Sequence, residues 1–134
     1  MENYLKLRFC IWNFNDISHD IISKELNLVP SKIYIKDERM HPELERKAKE
    51  NGWIYEISTT NDNCNNFNEQ LNLLLDILEP RITQIKKYSS IYYCELSCAI
   101  FLFSEEESTP WIHFDKRYNE FIKKTDIEFD FDIY

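Results

Sequence analysis

Three stretches of this chain alternate apolar and polar side chains with a period of two, and that pattern constrains the fold more than any other feature. Within Tyr4 to Phe14, Leu5, Leu7, Phe9 and Ile11 alternate with Lys6, Arg8 and Cys10. Within Ile91 to Phe103, Cys94, Leu96, Cys98, Ile100 and Leu102 alternate with Tyr93, Glu95, Ser97 and Ala99. Within Ile127 to Tyr134, Ile127, Phe129, Phe131 and Ile133 alternate with Glu128, Asp130 and Asp132. Successive side chains of a strand point to opposite faces, so each stretch predicts a strand with one buried and one wet side. The second half of the middle stretch is apolar on both sides, which predicts a position inside the sheet. Ser31 to Lys36 and Trp53 to Ser58, with Trp53, Tyr55 and Ile57 on one side, read as shorter strands, and Trp111 to Phe114 as another.

Elsewhere the apolar residues recur at helical spacing. Asp16 reads as the N-cap of a helix carrying Ile17, Ile21, Ile22 and Leu26, which Asn27 and Pro30 terminate. Phe67, Leu71, Leu74, Leu75 and Leu78 form the clearest stripe, widened by Leu73 and Ile77; Glu79-Pro80 breaks it, and Arg81 to Tyr88 adds a second short helix. Asp115 caps a last helix bearing Tyr118, Phe121 and Ile122. The charged stretch from Asp37 to Asn51 has only Leu44 and Ala48 to bury, so it reads as an exposed helix of a turn or two, or as a loop. The chain of 134 residues is the size of one domain. Residues 1–134 are therefore expected to form a single α+β domain: one mixed or antiparallel sheet of four to six strands, with the helices packed on one face.

Composition narrows the function. Gly52 is the only glycine, which excludes a glycine-rich phosphate loop and the glycine-flanked nucleophile elbow. The net charge of −8, with basic residues scattered along the sequence, argues against nucleic acid; it either serves solubility alone or suits a basic protein partner. The N-terminus lacks the pattern of a signal peptide, and Ala99 to Phe103 is far shorter than the ~20 apolar residues of a membrane span. The cytosol is the expected compartment, with Cys10, Cys64, Cys94 and Cys98 as free thiols.

Side chains able to carry chemistry are few. Cys94 and Cys98 share a strand face about 13 Å apart, too far for one metal or a mutual disulfide. His19, His41 and His113 are the available bases, and His113 beside Asp115 is the best placed of them. Glu105-Glu106-Glu107 reads as a solvated turn. No metal, no cofactor and no catalytic residue is assigned. The partner-binding candidates are Glu128, Asp130 and Asp132 with Tyr93 and Glu95, since carboxylates interspersed with tyrosine resemble the anchors of protein interfaces. Three like charges on one strand face repel each other unless something offsets them: Lys6 and Arg8 on the first strand are one internal partner, and water, a bound cation or a basic protein are the alternatives. Tyr34, Tyr55 and Tyr93 are taken as outward or edge aromatics.

Several of these features, in order, resemble the bacterial proteins grouped as domain of unknown function 4279. They are the opening strand, the Asp-led helix, the exit Leu26-Asn27-Leu28-Val29-Pro30, Trp53 at a strand start, Leu78-Glu79-Pro80-Arg81, and the terminal Phe129-Asp130-Phe131-Asp132-Ile133-Tyr134. Asn27 stands where that pattern usually has glycine, and the pattern's glycine after Lys36 is absent. The resemblance implies an α+β bacterial domain and no particular activity. Two functions remain open: a non-catalytic protein-binding module, such as an immunity-type protein neutralising a basic partner, and an enzyme or small-ligand binder with a pocket over the sheet. A structural or oligomeric role is a third.

Overall fold

The computed structural model describes residues 3–58, 65–106 and 110–134. Strands β1 (Tyr4–Trp12), β2 (Lys32–Tyr34), β3 (Gly52–Glu56), β4 (Tyr93–Phe101) and β5 (Glu128–Ile133) form one five-stranded sheet in the order β2-β3-β1-β4-β5. All neighbours are antiparallel except β4 and β5, which run parallel, so the sheet is mixed. Helices α1 (His19–Leu26), α2 (Phe67–Leu78), α3 (Ile82–Ile91) and α4 (Lys116–Lys123) join these strands in an α+β fold.

The alternation in β1 does what its period requires. Leu5, Leu7, Phe9 and Ile11 are fully buried and share one core with Trp53, Leu96, Cys98 and Ile100 from the flanking strands. The buried stripes of the helices (Ile22 and Leu26, Leu71 to Leu78, Ile85 and Tyr88, Tyr118 and Phe121) join that same core. The helices therefore cover one face of the sheet. The Trp53 indole N–H, buried under α1, donates to Ser23 Oγ at 3.0 Å, so the largest core side chain leaves no polar group unsatisfied.

Helix ends follow local chemistry, with one shift from expectation. Ser18, not Asp16, caps α1: its hydroxyl accepts from the Ile21 N–H at 3.2 Å. Asp16 instead accepts the Tyr92 hydroxyl at 2.5 Å and ties the loop to the end of α3. Asn27 takes the left-handed conformation (φ 52°) that closes α1, as expected of an asparagine in a position suited to glycine. Asp115 caps α4 through the Tyr118 N–H. Glu79–Arg81 is a tight 3-10 turn that redirects the chain from α2 into α3. Arg81 then donates from that turn to the carbonyls of Leu26 (2.5 Å) and Asn27 (3.2 Å) at the end of α1 and of Ile77 (2.7 Å) in α2. The sequence features Leu26-Asn27 and Pro80-Arg81 thus meet in space.

Three segments depart from the sequence reading. Residues 37–51 form no helix; with so little to bury, the chain folds back on itself through an Arg39–Lys47 bridge that buries Ala48 and leaves Leu44 exposed. Trp111 to Phe114 is not a strand: Trp111 is 72% exposed and stacks on His113, while Phe114 turns down onto Phe67 and Phe129. Along β5, burial fades from Ile127 (buried) through Phe129 (half-buried) and Phe131 (37% exposed) to Ile133 (68%). The aromatic cover from Phe67, Phe114 and Tyr118 reaches Phe129, and Phe67 and Phe114 extend to Phe131 at ring-centre distances of 6.4 and 6.2 Å.

Candidate functional site

The face of the sheet turned away from the helices collects the polar side chains of every strand. Strand pairing arranges them in rows, each step between strands being roughly 4.8 Å. One row runs Tyr34, Gly52, Trp12, Tyr93, and the next Lys32, Ile54, Cys10, Glu95, Glu128. Glu56, Arg8, Ser97 and Asp130 follow, then Lys6, Ala99 and Asp132. All five sequence-predicted residues, Tyr93, Glu95, Glu128, Asp130 and Asp132, therefore lie on this one open face.

At one end they form a hydrogen-bonded group. The Glu95 carboxylate accepts from Trp12 Nε1 at 3.0 Å and from the Tyr93 hydroxyl at 3.0 Å, one oxygen each. Tyr93 is 46% exposed, yet its hydroxyl is held by Glu95. Loss of water there, then the hydrogen bonds to Glu95 and Glu128, raise its pKa above the ordinary tyrosine value, so it stays a donor. Trp12, which periodicity alone did not mark, stacks on Tyr34 with ring centres 5.6 Å apart. The signal was available: even-numbered residues of β1 face the open side, and Trp12 shares the parity of Lys6 and Arg8. Gly52 lies beneath that ring, where an added Cβ would sit 2.5 Å from Trp12 Cζ3. The single glycine is thus required by close approach, not by a left-handed turn.

At the opposite end, Tyr4, Phe101, Phe103 and Tyr134 stack in a ladder across β1, β4 and the end of β5. The Tyr4–Phe101 centres are 4.6 Å apart and those of Phe101–Tyr134 5.0 Å. Between the two aromatic groups runs the acidic stripe Glu128, Asp130 and Asp132.

The stripe is not neutralised from the first strand. Because β4 lies between β1 and β5, Lys6 and Arg8 are two strands away from Asp132 and Asp130. Lys6 reaches Glu56 at 3.9 Å instead, and Arg8 donates to Ser97 Oγ at 3.5 Å. Among the described residues, Asp130 and Asp132 form no ion pair. Tyr55, taken as outward, belongs to the covered face and packs against the core.

The other chemistry-bearing residues do not converge. His113 stacks on exposed Trp111, and Asp115 caps α4 through one carboxylate oxygen. His19 bonds to the Tyr34 carbonyl and His41 to the Glu43 N–H, each a structural contact. Cys10, Cys94 and Cys98 are free and buried, and burial pushes each thiol up to about 12. Cys64 and Glu107 lie outside the described residues. Among the described residues no group of His, Cys, Asp and Glu comes together to hold a metal, and no helix is long and apolar enough to cross a membrane.

No curated protein and no solved structure matches the chain. A family model described as Domain of unknown function (DUF4279) matches residues 3–134, essentially the whole chain, and the protein belongs to that family.

Proposed function

We propose that this protein is a non-catalytic binding module that takes a basic protein partner on the open face of its sheet. The observation that carries the reading is the stripe of Glu128, Asp130 and Asp132 on the sheet face turned away from the described helices, with Asp130 and Asp132 outside any ion pair among the described residues. Aromatic groups flank the stripe, Trp12, Tyr34 and Tyr93 on one side and Tyr4, Phe101, Phe103 and Tyr134 on the other. Aromatic rings supply rigid contact area and carboxylates supply charge, the combination that concentrates binding energy in protein interfaces. The net charge of −8 speeds encounter with a cationic surface. An immunity-type role, neutralising a basic partner in a bacterial cytosol, is the fuller form of this proposal, and a toxin-like gene directly beside this one would identify the partner to test.

Small-ligand binding is the lesser reading. A recess of about 170 Å³ lies beside Trp12 and Tyr34, rimmed by Arg46, Lys47 and Lys49. That is below the ~300 Å³ at which ligand pockets usually begin, and the larger recesses, of about 400–420 Å³, lie along the helices and not over the sheet.

The test uses the basic product of a neighbouring gene and stopped-flow association. Replacing Asp130 and Asp132 with Asn should slow association by roughly tenfold at low salt, and the wild-type rate should fall as salt rises. Salt-insensitive association unchanged by the substitutions would remove this face from the interface.

A further inference from the structure

The sheet has two edges, and they differ. The β2 edge is three residues long, with the 37–50 segment folded beside its Tyr34 end. The β5 edge is six residues long. Tyr134, just past its end, donates to the Ile100 carbonyl and accepts from the Leu102 N–H, so its peptide groups point at β4. Backbone groups of successive strand residues point to opposite sides, so Phe129, Phe131 and Ile133 turn their N–H and C=O groups away from the sheet. Among the described residues nothing hydrogen-bonds to those groups. This is a template for another strand.

The side chains along the edge state what kind of strand it accepts. Glu128, Asp130 and Asp132 stand on the open side, while Phe131 and Ile133 lie partly exposed on the other. A second copy is a poor occupant: pairing β5 with β5 sets carboxylates against carboxylates on the same face, and directly opposed like charges destabilise a sheet. The same stripe that discourages self-association selects an extended segment in which lysine or arginine alternates with apolar residues. Its cations then sit against the carboxylates, and its apolar side chains cover Phe131 and Ile133.

We infer that the outer edge of β5 binds a basic, alternating segment of the partner as a sixth strand. Backbone hydrogen bonds supply affinity, and the acidic stripe supplies specificity. This deepens the binding proposal above and rests on it.

The inference is tested with a short synthetic peptide alternating lysine and valine, added to the full-length ¹⁵N-labelled protein. Binding should slow hydrogen exchange at the amides of Phe129, Phe131 and Ile133, and a glutamate–valine peptide should leave them unchanged. Two backbone N-methylated versions, one methylated on the valines and one on the lysines, separate strand pairing from charge attraction. Only one set of the peptide's N–H groups faces β5, so one version should keep its affinity. The other should lose about tenfold or more, the equivalent of two hydrogen bonds. If both versions bind like the parent while the Asp130→Asn, Asp132→Asn protein binds more weakly, the edge inference is overturned and the open-face reading survives. If the parent peptide does not bind, or binds the substituted protein equally well, both fall.

Discussion

At residue scale, the open face depends on a close approach that only one residue type permits. Trp12 lies over Gly52, where any Cβ would meet the indole ring at 2.5–2.8 Å, and Tyr34 crowds the same spot at 3.1 Å. Gly52→Ala should therefore cost about 1–3 kcal/mol in urea unfolding, the usual range for overpacking. Trp12→Leu in the same chain should recover much of that loss, because it removes the ring that the methyl strikes. A single Gly52→Ala variant as stable as wild type would show that the stack gives way freely. The three buried thiols make a second prediction. Each has its pKa raised from 9.0 to about 12 by burial, so in the folded protein each holds its proton over a pH range in which the unfolded chain has lost it. Their stabilisation is complete below about pH 9 and is lost as pH rises toward 12, a fall that urea midpoints across that range should show. At pH 8 a thiol reagent should label Cys94 and Cys98 only at the rate of opening; fast labelling in the folded state would place them on the wrong side of β4.

At the scale of elements, a few polar side chains tie the helical layer together. Arg81 gives its guanidinium to carbonyls of α1 and α2, and Arg117 from α4 pairs with Asp76 (2.6 Å) and Glu79 (2.5 Å) around α2. Tyr88 of α3 donates to Glu25 of α1 at 2.7 Å. The Arg81 contacts satisfy a helix C-terminus that would otherwise leave carbonyls unpaired near the core. Removing them with Arg81→Ala should lower stability by about 2–3 kcal/mol, since hydrogen bonds from a charged donor are worth about 1.5–3 kcal/mol each but do not add fully. Arg81→Lys should recover only part, because an ammonium cannot match the three-way fork. An Arg81→Ala protein within a few tenths of a kcal/mol of wild type would mean that water replaces the guanidinium.

At the scale of the whole molecule, the acidic stripe sets stability against recognition. Asp130 and Asp132 lie on one strand face at a spacing of roughly 7 Å, with no basic side chain among the described residues paired to them. The Asn substitutions that slow association should raise the stability of the isolated protein by a few tenths of a kcal/mol, an effect that added salt erases. Lower stability in the Asn variants would mean that a basic group internal to the fold pairs with the stripe after all. The sequence by itself determined the five strands and four helices to within a few residues, which side chains share a strand face, where α1 ends and where α4 begins, but not the course of residues 37–51 and 111–114. These are properties of neighbours along the chain: the alternation of Leu5 to Ile11, the stripe of Phe67 to Leu78, and the backbone tolerance of Asn27. Tertiary structure alone decided what stands beside what. The insertion of β4 between β1 and β5 removes Lys6 and Arg8 from the reach of Asp132 and Asp130, and no periodicity within either strand encodes that order. The same holds for Trp12 over Gly52, for Glu95 held between Trp12 and Tyr93, and for the fading cover along β5. Each depends on residues brought together from distant parts of the chain, where burial in the core, and not local spacing, selects the arrangement.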